Sequence, residues 1–152
     1  PPANGTILIF GSTNYAEIGK KVGSMLSSAA SDETPNLPGP HRLLAGIGST
    51  RVAFVATGST SAHAIALGTG GEVFAWGRNE AGQLGLGDVV LRNQPTRLKE
   101  LDGKGVRATA CGKAHTLFLT TNGEIYACGL SKTGACGPVP PKKADHVSKP
   151  TL

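Results

Sequence analysis

An all-β fold made of propeller-type blades is predicted by three observations. Glycine is abundant, at 22 of 152 residues, while only 16% of residues are charged; that balance calls for many tight turns rather than a disordered chain. The apolar runs between glycines are only four or five residues long, as in Ile7–Phe10, Val73–Trp76 and Ile125–Cys128, which is too short for helices. The runs also recur in register, which marks stacked units of one construction. Repeated strand–turn–strand units at a period near 50 match four-stranded blades, so the chain reads as a partial β-propeller of about two to three blades.

Taken in order, residues 1–19 hold a first partial repeat of strand and turn, Asn4-Gly5 leading into Ile7-Leu8-Ile9-Phe10-Gly11 and closing at Gly19. Residues 20–50 read as an inserted loop, rich in Ser, Ala and Pro, with one short helix around Ala16–Leu26. Residues 51–105 form a blade repeat. Val52–Gly58 is an apolar run closed by glycine, His63-Ala64-Ile65-Ala66-Leu67 is a second run, and Gly70-Gly71 turns into Val73–Trp76 and Gly77. Residues 106–137 repeat this order: Val106–Gly112, His115–Leu119, then Asn122-Gly123 and Ile125–Gly129. Asn-Gly and Gly-Gly suit hairpin turns whose central residues need positive φ. Residues 138–152 keep no repeat text and read as a divergent tail or linker.

The register is tight. Gly11 to Gly19, Gly77 to Gly85 and Gly129 to Gly137 each span eight residues, as do His63 to Gly71 and His115 to Gly123. One blade cannot bury both of its faces, so neighbouring blades must stack on it. The positions that carry the repeat are therefore assigned structural roles: Gly11, Gly19, Gly58, His63, Gly71, Trp76, Gly77, Gly82, Gly85, Gly112, His115, Gly123, Gly129 and Gly137.

Candidate chemistry is weighed against those roles. His63 and His115 share one repeat position, but no carboxylate or cysteine recurs at a matching offset, so each reads as a buried histidine bonded to a neighbouring strand or blade. His41 and His146 lie in loop-like text. Gly82-Gln83-Leu84-Gly85-Leu86-Gly87 has the order GxxGxG rather than GxGxxG, and no helix pattern follows. Its glycines read as turn residues, with Gly82 and Gln83 tying the loop to a blade through backbone bonds. Gly112-Lys113 lacks the upstream glycine of a phosphate loop. Trp76 aligns with Phe10 and Cys128, which favours core packing. Glu80, Asp88 and Glu100 form no general acid–base pair. Three cysteines, Cys111, Cys128 and Cys136, form no CxxC pair and read as reduced, partly buried thiols. No catalytic, cofactor or metal site is expected, and no enzyme.

The net charge is +5, but the basic residues are scattered rather than clustered with aromatics. Direct nucleic-acid binding is therefore the less favoured class. No window approaches 18 apolar residues, so no membrane-spanning helix is expected. No signal pattern stands at the N-terminus, the Asn4-Gly5-Thr6 sequon is taken as chance, and an intracellular protein, cytoplasmic or nuclear, is expected.

Trp76-Gly77-Arg78-Asn79-Glu80-Ala81-Gly82-Gln83-Leu84-Gly85-Leu86-Gly87-Asp88 resembles the signature of the regulator-of-chromosome-condensation repeat. Cys111-Gly112-Lys113-Ala114-His115-Thr116-Leu117 with Asn122-Gly123 resembles its other half. Leu8–Asn14 and Gly39–Arg42 are similar to the start of the telophase-disc branch of that family. The third copy departs from the pattern, with Ala135-Cys136 where Gln-Leu is usual, so that blade reads as divergent or unfinished. The resemblance implies a fragment of a seven-bladed propeller that binds protein partners as a scaffold or as a subunit of a larger complex. As alternatives it implies nucleotide exchange on a small GTPase, or chromatin or microtubule association in mitosis. No exchange residue maps onto this chain.

Overall fold

The computed structural model describes residues 7–12, 36–43, 46–137 and 145–152. The strands are β1 (Leu8–Ser12), β2 (Asn36–Arg42), β3 (Val52–Ala56), β4 (His63–Gly68), β5 (Val73–Gly77), β6 (Arg92–Arg97), β7 (Val106–Cys111), β8 (His115–Thr120), β9 (Ile125–Leu130) and β10 (His146–Thr151). A 3-10 turn, η1 (Lys99–Leu101), joins β6 to β7. Two four-stranded antiparallel sheets follow chain order, β3-β4-β5-β6 and β7-β8-β9-β10, and β1 pairs with β2 in a separate two-stranded ladder. These are two complete blades and a partial one, the predicted all-β partial propeller.

The alternation of side chains along β4 and β5 explains the stacking. His63, Ile65, Leu67, Val73 and Ala75 share one face; Ala64, Ala66, Phe74 and Trp76 share the other. Both strands are buried along their whole length, as a sheet covered on both faces must be. The first face packs against the second blade in a core of Ile65, Leu67, Leu84, Leu98, Leu101, Phe118 and Cys128, among others. The second face forms a separate core in which Ile47, Phe74 and Trp76 meet Ile7, Ile9 and Leu43 from the partial blade. Trp76, 4% exposed, is a core residue of this second cluster.

Four readings are corrected by the strands. The segment 138–152, read as tail or linker, supplies β10, which pairs with β9 and completes the second blade. Its sequence, His-Val-Ser-Lys-Pro-Thr, lacks apolar alternation and carries Pro150. An edge strand tolerates both, because one side of its backbone has no ladder partner; β6 carries Pro95 in the same role. Residues 36–42, read as part of the inserted loop, form β2 despite Pro38 and Pro40. The ladder there breaks between Ile9 and Gly11, opposite those prolines, so no donor is missed. His41 and His146, read as loop residues, stand in β2 and β10. The copy with Ala135-Cys136 belongs to a complete four-stranded blade, and among the described residues the N-terminal ladder has two strands. The expected helix at Ala16–Leu26 and the position of Gly19 lie outside the described residues.

Candidate functional site

The seam between the two blades is where the recurring residues converge. Gly58 ends the run before β4 so close to the second blade that a Cβ there would meet the Cys111 carbonyl. Gly77 and Gly129, with φ of 104° and 112°, let β5 and β9 pass against the start of the histidine strands; a Cβ would strike the backbone of His63 or His115. Both histidines are thereby fixed at the same corner of their blades.

His63 is 3% exposed. Its Nε2 lies 2.8 Å from the Thr116 hydroxyl of the second blade, and its Nδ1 lies 3.1 Å from the Ser61 hydroxyl. The Thr116 hydroxyl donates to the Gln83 carbonyl at 2.7 Å, so it must accept from His63 Nε2–H. That chain of donors places a proton on Nε2. Burial, with a smaller contribution from nearby His115, lowers the pKa from 6.5 to about 4. The Gln83 carbonyl also faces the Cys128 thiol at 3.4 Å, and the Cys111 thiol donates to the Ala56 carbonyl across the seam. Burial pushes the Cys111 thiol up to about 12 and the Cys128 thiol higher still, so neither is poised as a nucleophile. The seam is a polar lock inside an apolar interface. It joins the blades.

The segment Arg78–Val90, which carries the signature text, leaves β5 and does two things. Its glycines receive the second blade: Gly87 N donates to the Ser148 carbonyl at 2.8 Å, and a Cβ on Gly82 would stand 2.7 Å from Ser148 Cα. Its base is fastened by Asn79, which is fully buried. Asn79 Oδ1 accepts from Leu84 N at 2.9 Å, and Nδ2 faces the carbonyls of Asp88 at 3.0 Å and Val90 at 3.1 Å. Arg92 closes the loop through a 2.6 Å contact with Asp88. Against the upward push of partial burial, the Arg92 guanidinium and the Val90 amide hold the Asp88 carboxyl below its usual value. Beside the exposed Glu80, this loop presents two apolar side chains to solvent: Val89 is 45% exposed and Val90 60%.

A third feature is an apolar cleft of about 280 Å³ between β1 and the first blade, lined by Ile7, Ile9, Phe10, Leu43, Val55 and Trp76. His63 and Ser61 lie at its edge, but their polar atoms are committed to the seam. Among the described residues no group of three or more His, Cys, Asp or Glu side chains is placed to hold a metal. Glu80, Asp88 and Glu100 are not brought together: Asp88 pairs with Arg92 and Glu100 with Lys149. Gly71 and Gly123 sit at the β4–β5 and β8–β9 hairpins with φ of 88° and 84°. Gly82, Gly85 and Gly137 occupy loop turns, Gly112 lies against the His115 ring, and Gly11 is in β1.

Sequence reasoning missed Thr116, Asn79 and Arg92. Thr116 aligns with Ala64 and Asn79 with Ser131, so a search for recurring residues discards them. The distinctive signal was the difference between copies, not their likeness.

Comparison with known proteins agrees with this geometry. The regulator of chromosome condensation (RCC1) repeat matches residues 70–119, and a second form of the same repeat matches 52–83 and 106–135. The chain is 42% identical over 137 residues to Protein RCC2 homolog of Xenopus laevis, covering 89% of this chain and 26% of that protein. It is 42% identical over 135 residues to human Protein RCC2, covering 88% of this chain and 25% of that protein. The crystal structure of yeast RCC1 (Prp20) bound to Kap60 superposes with a TM-score of 0.71 at 26% identity, over 97% of this chain and 33% of that one. The chain thus spans about a quarter of the length of the curated relatives it matches. With two blades in repeat register, the signature loop clamping one blade to the next, and these likenesses, the chain belongs to the RCC1 repeat family.

Proposed function

We propose that the chain is a non-catalytic, protein-binding scaffold module of a propeller, which presents rigid loops at the blade ends to a protein partner. One observation carries the reading: the Arg78–Val90 loop is clamped at its base by buried Asn79 and by Arg92–Asp88, and it holds the exposed Val89 and Val90 outward. Apolar side chains on a preorganised loop lose little freedom on binding, which is what an interface anchor requires. Yeast RCC1 (Prp20), which superposes on this chain, is bound to Kap60 in its crystal structure, and that supports a protein partner here. The scattered positive charge continues to disfavour direct nucleic-acid binding. Among the described residues no helix is long and apolar enough to cross a membrane.

The test compares proteins retained by the immobilised chain and by its Val89→Asp/Val90→Asp variant, identified by mass spectrometry, with thermal unfolding as the control. Loss of a specific protein from the variant at unchanged Tm supports the reading. Identical retention sinks it.

A second reading, nucleotide exchange on a small GTPase or a role as a chromatin- or microtubule-associated mitotic regulator, is favoured by the 42% identity to human Protein RCC2. Release of labelled GDP from purified small GTPases separates the two. Acceleration by the chain favours exchange; an unchanged release rate leaves the scaffold reading.

A further inference from the structure

The outer edge of the blade seam carries charge that the contacts between blades do not use. A groove of about 490 Å³ opens there along β6 and η1, lined by Leu86, Arg92, Thr96, Arg97, Lys99 and Glu100. Lys149 of β10 reaches Glu100 from the second blade at 3.3 Å. Its stem passes over Gly87, where a Cβ would stand 3.0 Å from Lys149 Cε. Leu98 and Leu101 are fully buried on either side of Lys99-Glu100, so the backbone that carries these charges is held in place.

Four cations meet three carboxylates around the groove: Arg92, Arg97, Lys99 and Lys149 against Asp88, Asp102 and Glu100. The pairings engage the cations unequally. Arg92 is committed, since its guanidinium donates at 2.6 Å to Asp88 and at 2.6 Å to the Val90 carbonyl. Arg97 gives only its Nε to Asp102, at 3.2 Å, and its side chain is 48% exposed. The terminal nitrogens of Arg97 have no partner among the described residues. Lys99 is exposed and pairs with no carboxylate among the described residues. A guanidinium fork and an ammonium are thus left to take carboxylates. The chain that borders the groove is apolar: Leu86 lines it, and the exposed Val89 and Val90 lie between Leu86 and Arg92 in sequence.

We propose that this groove binds an acidic, extended segment of a protein partner, with carboxylates on Arg97 and Lys99 and apolar side chains against Leu86, Val89 and Val90. The proposal rests on the protein-partner reading above and adds the chemistry of the partner. Charge complementarity selects the occupant. Glu100 and Asp102 alternate with the cations, so the evenly spaced phosphates of a nucleic acid would meet carboxylates, whereas a peptide places its charges by sequence. None of the lining side chains is aromatic, so bases would find no surface to stack on.

The test is fluorescence anisotropy with two dye-labelled probes, a peptide of glutamates with two central leucines and an all-glutamate peptide of the same length. Both are expected to bind, and more weakly as salt is raised. Arg97→Gln/Lys99→Gln removes two exposed ion pairs with the probe and is expected to weaken both peptides about fivefold or more at unchanged Tm. Lys113→Gln/Lys132→Gln removes the same charge from exposed sites outside the groove and should leave binding as in the wild type. Equal weakening by the two double variants would reduce the effect to net charge and overturn the proposal, as would failure of the all-glutamate peptide to bind. Tighter binding of a labelled oligothymidylate, lost in Arg97→Gln/Lys99→Gln, would also overturn it by making the groove a nucleic-acid site. Val89→Ser/Val90→Ser should weaken the leucine-bearing peptide alone. Indifference of both peptides to that variant would sink the reading of the loop as an anchor, while the groove is judged by the glutamine variants.

Discussion

His63 Nε2 and the Thr116 hydroxyl stand 2.8 Å apart across the blade seam, although 53 residues separate them in sequence. The contact is buried, and the threonine hydroxyl donates its own hydrogen bond to the Gln83 carbonyl. A single hydroxyl therefore satisfies one donor and one acceptor contributed by the first blade. Removing it strands the His63 Nε2–H in an apolar interface and leaves the Gln83 carbonyl only the weak Cys128 thiol as donor.

Thr116→Val keeps the shape and deletes the hydroxyl. Urea unfolding is expected to show a loss of about 2–3 kcal/mol, the cost of an unpaired buried imidazole N–H and of a carbonyl left with only a thiol donor. Thr116→Ser keeps the hydroxyl and loses one methyl group, about 1 kcal/mol. Equal losses for the two variants would show that packing, and not the hydrogen-bonded chain, holds the seam.

The same histidine gives the fold a dependence on pH. Its folded pKa of about 4 lies below the unfolded value of 6.5. A base with a depressed folded pKa is protonated first in the unfolded chain, so its contribution is complete above pH 6.5 and lost as pH falls toward 4. The span corresponds to on the order of 3 kcal/mol. Urea midpoints of the wild type are expected to drop across that window more steeply than those of His63→Gln, which carries no titrating ring. Parallel pH profiles would place the dependence elsewhere.

Gly82 and Gly134 share a backbone conformation but not an environment. At Gly82, with φ of 72°, a Cβ would press on Ser148 Cα at 2.7 Å; at Gly134, with φ of 78°, it would meet nothing among the described residues. Gly134→Ala is expected to cost only the left-handed backbone penalty, about 1 kcal/mol. Gly82→Ala adds overpacking of about 1–3 kcal/mol, and amide exchange in β10 should accelerate while β4 and β5 stay protected. Similar costs at both sites would show that the loop does not clamp β10.

The repeat made the blades legible, because strand periodicity and turn glycines are local properties that recur at fixed spacing. The runs around Ile65, Phe74 and Phe118 announce themselves in that way. The outer strands β6 and β10 do not, since an edge strand needs neither apolar alternation nor freedom from proline, and Pro95 and Pro150 hide them. The position of His63 was legible as a repeat mark, but its partner was not. Thr116 meets it only because stacking brings two blades together, and nothing in the sequence around Ala64, its aligned counterpart, points to a hydroxyl. The loop clamp was hidden for the same reason, because Asn79 and Ser131 differ.

That difference yields the last prediction. Asn79 joins Leu84, Asp88 and Val90 through one side chain, whereas Ser131, at the matching position and 1% exposed, has no hydrogen-bond partner for its hydroxyl among the described residues. Asn79→Ser should therefore cost about 2–4 kcal/mol, since a shorter side chain leaves the Leu84 amide and the Asp88 carbonyl unserved, while Arg92 still donates to the Val90 carbonyl. Ser131→Ala should fall within about 1 kcal/mol of the wild type or stabilise it, because it removes a buried polar group that bonds to nothing. Urea unfolding measures both, and amide exchange at Val89 and Val90 reports whether the loop has come loose in Asn79→Ser. A Ser131→Ala loss as large as that of Asn79→Ser would mean that Ser131 fastens its own loop after all, and the asymmetry between the two copies would have to be abandoned.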